Sequence, residues 1–62
     1  MVVEIKMTQV NEEILTLIAD IDYMIIEEHK DGIGMIVKTY KNNNIVFAEE
    51  NIIDYEYKLV TS

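Results

Sequence analysis

Ile14–Leu15–Thr16–Leu17–Ile18–Ala19–Asp20–Ile21–Asp22–Tyr23–Met24–Ile25–Ile26–Glu27–Glu28–His29–Lys30 is the stretch on which the fold of this 62-residue chain turns. Two periodicities run through it. At three- and four-residue spacing, Ile14, Leu17, Ile18, Ile21, Met24 and Ile25 fall on one face of a helix. Asn11 would cap that helix, Glu12 and Glu13 would suit its first turn, and His29, Lys30 and Gly32 would suit its end. At two-residue spacing, Leu15, Leu17, Ala19 and Ile21 alternate with Thr16, Ile18, Asp20 and Asp22. That pattern gives a strand, a bend near Asp20–Asp22, and a second strand from Tyr23 to Glu28. Asp31–Gly32 would then turn the chain into the next strand. The segment holds five isoleucines, a threonine and a tyrosine, which suit strands, and two aspartates that would sit mid-helix. Propensity therefore favours two strands.

The flanking sequence supports a sheet in either case. Val3, Ile5 and Met7 alternate with Glu4 and Lys6, whereas Thr8 to Glu13 is a polar connection. Met35, Val37 and Thr39 alternate with Ile36, Lys38 and Tyr40. Lys41–Asn42–Asn43–Asn44 is a turn, because asparagine tolerates the left-handed backbone. Residues 45–48 form a short strand, and Glu49–Glu50–Asn51 a tight connection. Ile53, Tyr55, Tyr57 and Leu59 then alternate with Asp54, Glu56 and Lys58, the pattern of a strand with one face on a core. The expected fold is mainly β, a five- to six-stranded barrel or curled antiparallel sheet. The alternative is α+β, a strand, a helix over residues 11–30, and three strands.

In layout the strand reading resembles the small SH3-like and Sm-like barrels. The resemblance rests on residues 21–26 and on the short strand, tight turn and last strand of residues 45–59. The chain lacks the glycine that usually bends the second strand and the Sm-type RNA-binding signature, so the resemblance is one of layout and implies no function.

Residues 1–62 are expected to form a single domain. A domain of this size buries only about 60% of its unfolded surface. No cysteine is present to form a disulfide, and self-association is one remaining route to stability. Five lysines, no arginine and twelve carboxylates give a net charge of −7. That balance argues against direct binding to nucleic acid or an anionic membrane, and for attraction to a basic protein surface. The amino-terminal residues lack the pattern of a signal peptide, no apolar run is long enough to span a bilayer, and the expected compartment is the cytoplasm.

No catalytic, cofactor-binding or metal-ligating set emerges. The one histidine, His29, is read as a surface residue beside a turn. Serine occurs once, at Ser62, so no Ser/His/Asp arrangement arises, and the only glycines, Gly32 and Gly34, form no phosphate loop. The protein is expected not to be an enzyme. Tyr23, Tyr40, Tyr55 and Tyr57 stand among carboxylates rather than the cations that accompany base-stacking aromatics. The candidate site is protein-binding: Glu12, Glu13, Asp20, Asp22, Glu27, Glu28 and Asp31, seven carboxylates with Lys30 as the one lysine among them. Function is expected to be that of a non-catalytic inhibitor or adaptor that docks on a basic, nucleic-acid-binding surface of a partner. The first alternative is a structural subunit, a homo-oligomer associating through a strand edge or apolar face, for which Ile18, Ile36 and Val60 on the outer face are the hint. The second is a small RNA-binding barrel.

Overall fold

The computed structural model describes residues 1–61; Ser62 lies outside the described residues. Five antiparallel strands form one sheet: β1 (Val2–Gln9), β2 (Ile14–Asp20), β3 (Tyr23–Glu28), β4 (Met35–Lys41) and β5 (Asn44–Thr61). Their order is β2-β1-β5-β4-β3. The segment 14–30 forms two strands and a corner, so the helix alternative is overturned. Along β2 the exposed Ile14, Thr16, Ile18 and Asp20 alternate with half-buried Leu15, Leu17 and Ala19, as on a half-covered sheet.

The strand order has a geometric consequence. β2 and β3 are opposite edges of the sheet, yet only Ile21 and Asp22 separate them in sequence. In a flat sheet these edges would lie roughly 19 Å apart, four strand spacings of about 4.8 Å. Three Cα–Cα steps from Asp20 to Tyr23 reach at most about 11 Å. The sheet therefore curls until its edges approach at this corner. Ile21 donates its backbone N–H to the Met1 carbonyl, and Asp22 donates its own to the Tyr40 carbonyl. β2 and β3 do not pair with each other, so the expected barrel stays open.

Curling is made possible by β5, which pairs with β4 over Asn44–Ile52 and with β1 from Ile52 onward. Straight, its 18 residues would span roughly 56 Å, well beyond the molecule's longest extent of 34 Å. Four register shifts interrupt it, and two of them adjoin at Ile52, where it bends. Between Met35 and Val37 the register steps from Ile52 to Glu49, and between Thr8 and Gln9 it steps from Asp54 to Ile52. Asn51 takes the left-handed backbone, φ 62°, that this bend requires. The expected reversal at Glu49–Asn51 is thus a bend inside one continuous strand.

The buried core is Val3, Ile5 and Met7 of β1, Ile21 of the corner, Val37 of β4 and Ile52 at the bend of β5, with Leu15, Leu17, Met24, Ile26 and Phe47 among those packed around it. Thr39 is also fully buried, its hydroxyl directed at the Phe47 carbonyl. The bulge corrects the reading of the last strand. Ile52, not Ile53, enters the core. Tyr55, Tyr57 and Leu59 do share a face with their register partners Met7, Ile5 and Val3, yet Tyr57 is 62% exposed and Leu59 55%. The half of the sheet beyond the bend does not reach over them.

Two turns complete the frame. Asn42 and Asn43, with φ 52° and 62°, make the two-residue hairpin between β4 and β5, as asparagine at both central positions favours. The β3–β4 connection is longer than the expected Asp31–Gly32 turn and runs from His29 to Gly34. Gly34, at φ 90°, lies so close to the Ile52 backbone that a Cβ would stand 2.6 Å from its carbonyl oxygen. Packing against the β5 bend, rather than a tight hairpin, sets this loop.

Candidate functional site

The seven carboxylates expected to form one surface are divided by the fold. Asp20 and Asp22 flank the corner where the sheet edges meet. Asp20 lies 2.7 Å from the Met1 ammonium and 3.4 Å from Lys41 Nζ, and Asp22 lies 3.3 Å from the same Lys41 nitrogen. Asp22 also accepts a 2.8 Å hydrogen bond from the Asn42 backbone N–H. Both carboxyls are held below their ordinary range. For Asp20 the leading cause is the hydrogen bond from the Met1 ammonium, with Lys41 adding to it. For Asp22 it is the Asn42 N–H, followed by Lys41. The same pairs hold the Lys41 ammonium above its ordinary value, Asp22 first. Glu27 is likewise engaged, 2.8 Å from Lys38 across the β3–β4 pair, and raises the pKa of that lysine. These three acids serve the fold.

The remaining four, Glu12, Glu13, Glu28 and Asp31, lie at the opposite end, where three segments converge on Asn51 and Ile52. The β1–β2 turn reaches it through the Val10 N–H, which donates to the Asn51 carbonyl at 3.0 Å. The β3–β4 loop reaches it through Gly34 against Ile52. His29 and Glu50 add a side-chain contact, Nε2 to Oε2 at 3.2 Å. The bend of β5 brings Glu49, Glu50 and Asp54 to the same place. Seven carboxylates therefore surround this pole: Glu12, Glu13, Glu28, Asp31, Glu49, Glu50 and Asp54. Lys30 and His29 are the only side chains of these segments able to carry positive charge. Among the described residues, the His29–Glu50 contact is the one ion-pair geometry these carboxylates make.

Glu49, Glu50 and Asp54 were not legible as part of an acidic surface, because charge along residues 32–62 is nearly balanced in sequence. The signal that could have found them is the pair Glu49–Glu50 followed by asparagine, a residue suited to the left-handed conformation of a bulge. His29 is not the free surface histidine expected. Its ring is mostly covered, it packs against Gly32, and Nδ1 is buried without a hydrogen-bond partner. Among the described residues no three His, Asp or Glu side chains are disposed as metal ligands.

Two further surfaces lie away from this pole. Tyr23 and Tyr40 stack on each other, ring centroids 4.9 Å apart and 10° from parallel, and Tyr23 donates its hydroxyl hydrogen to Asn43 Oδ1. On the uncovered inner face an open concavity of about 460 Å³ is lined by apolar and tyrosine side chains, including Ile5, Met24, Tyr55, Tyr57 and Leu59. Comparison of the chain with protein-family models, with curated proteins and with solved structures finds no match in any of the three.

Proposed function

We propose that this protein is a non-catalytic interaction domain that binds a basic surface of another protein through the acidic pole around Asn51–Ile52. The observation that carries the reading is the convergence of seven carboxylates from three separate segments, whose only basic side chains are Lys30 and His29. A concentrated negative surface steers encounter with a positive one and penalises wrong partners by like-charge repulsion. Its natural complement is a lysine- and arginine-rich face that otherwise holds phosphate, as on a nucleic-acid-binding protein. Occupying such a face makes the domain an inhibitor or an adaptor, working in the cytoplasm. The acids at the corner are paired and contribute to the fold instead, which narrows the binding surface to one end.

The test is affinity capture with the intact chain at low and high salt, followed by mass spectrometry. It is repeated with a pole-neutralised variant carrying Glu12→Gln, Glu13→Gln, Glu49→Gln and Glu50→Gln. The expected result is a basic partner that salt, added nucleic acid and the neutralised pole each release. Capture indifferent to all three, or recovery of no basic partner, overturns the proposal.

A further inference from the structure

We propose that the chain forms a two-fold homodimer by pairing residues 54–60 of β5 with the same residues of a second copy. The edge exists because of the bend. Residues 54–59 of β5 pair with β1 on one side only, since pairing with β4 ends at Ile52. Beside this edge Tyr57, Leu59 and Val60 are all exposed. An unpaired strand edge flanked by apolar side chains is a template for another strand.

The order of residues selects the occupant and the register. Antiparallel pairing centred on Tyr57 places Tyr57 opposite its own copy and Tyr55 opposite Leu59, all on the inner face. On the outer face it places Glu56 opposite Lys58 and Lys58 opposite Glu56. The strands behind extend the pattern, because Lys6 lies beside Glu56 and Glu4 beside Lys58, the latter pair at 3.6 Å. Across the joined sheet the outer rows then read Lys6, Glu56, Lys58 and Glu4, alternating in sign. Shifting the centre to Tyr55 would set Asp54 against Glu56. Centring on Glu56 or Lys58 would set like charges against themselves. Only the Tyr57 register unites opposite charges and apolar pairs.

The edges of β2 and β3 lack this self-complementarity. β2 carries no cation, and β3 ends in Glu27–Glu28 without one. Antiparallel pairing of β5 also sends the two acidic poles to opposite ends of the dimer, so the net charge of each copy does not oppose it there. The interface is isologous, as closed two-fold assemblies require.

Sedimentation of the intact chain over a range of concentrations tests the proposal. The native protein is expected to be dimeric at high concentration. Glu56→Lys and Lys58→Glu each create like-charge pairs and are expected to weaken dimerisation at least about tenfold. Mixing these two variants is expected to restore association, because every altered pair across the interface then becomes complementary. In a second experiment, Tyr57→Cys in this cysteine-free chain should give a disulfide-linked dimer under mild oxidation, as centred cross-strand partners lie within bridging distance. Ile18→Cys on the β2 edge should not. A native protein monomeric at high concentration overturns the proposal. So do single variants that dimerise as before, a mixture that stays monomeric, or Ile18→Cys linking as readily as Tyr57→Cys.

Discussion

The carboxylate of Asp22 accepts a 2.8 Å hydrogen bond from the backbone N–H of Asn42, tying the β2–β3 corner to the β4–β5 turn. This bond, with Lys41 bridging Asp20 and Asp22, sits where an open sheet would otherwise uncurl. Asp22→Ala is expected to lower the melting temperature at neutral pH by about 5 °C. Because folding depresses the Asp20 and Asp22 pKa values, their contribution is complete above about pH 4, the unfolded value, and is lost as the pH falls below it. The gap between native and variant should therefore shrink in acid. Lys41, raised by the same contacts, contributes below its unfolded value near 10.5 and loses that contribution as the pH rises through the folded value. Thermal melts from pH 2.5 to 11 would show this plateau, and Lys41→Met should lower it, removing the alkaline fall and reducing the acid one.

Glycine is required at one of its two positions far more than at the other. At Gly34 a side chain meets both a φ of 90° and the Ile52 carbonyl, backbone that cannot move without disturbing the β5 bend. Gly34→Ala is expected to cost at least about 2 kcal/mol in urea denaturation. At Gly32 the obstacle is the His29 ring, 2.8 Å from where a Cβ would stand, and a side chain can turn away. Gly32→Ala should cost under about 1 kcal/mol while separating His29 from Glu50. Equal losses at both positions would contradict this account of the loop.

The alternation of β1 is enough to read a strand, because period-two burial depends on neighbours in sequence, whereas residues 14–30 carry both periodicities and only their β-branched content favours strands. The curl was less legible. It follows from a strand order joined by a two-residue corner, and strand order is set by pairing between Val2–Gln9 and the far end of the chain. The one-residue slip at Ile52–Ile53 was hidden for a related reason. Bulges are compensated on partner strands, and the alternation Ile53, Tyr55, Tyr57, Leu59 stays intact beyond the bulge while the buried residue moves to Ile52. The acidic surface was half legible. Proximity along residues 12–31 joined acids that the fold separates, and missed Glu49, Glu50 and Asp54, which only the bend brings in.

The slip itself can be measured. Ile52 is fully buried where β1, β4 and β5 meet, whereas Ile53 is 43% exposed. Ile52→Ala is expected to cost about 2–5 kcal/mol. A domain of this length has roughly 3–9 kcal/mol in total, so much of the variant should be unfolded. Ile53→Ala should cost less than about 1 kcal/mol. Paired denaturation curves would check the order, and a larger loss at Ile53 would place the bulge elsewhere.

Ile18 tests the β2 edge. It is 62% exposed on the outer face and lies opposite Glu4 in the β1–β2 register. β2 is an apolar edge strand without a lysine, the kind of edge that natural sheets guard with charge. Ile18→Lys supplies that charge and gives Glu4 a cross-strand cation. Stability should change by no more than about 0.5 kcal/mol, since the lost isoleucine surface was solvated and cross-strand opposite charges are weakly favourable. Turbidity on heating should fall, because the guarded edge no longer templates pairing between unfolding chains. Sedimentation should be unaltered if association uses residues 54–60 of β5. A variant that becomes monomeric while remaining folded would instead assign association to β2, the opposite edge of the same sheet.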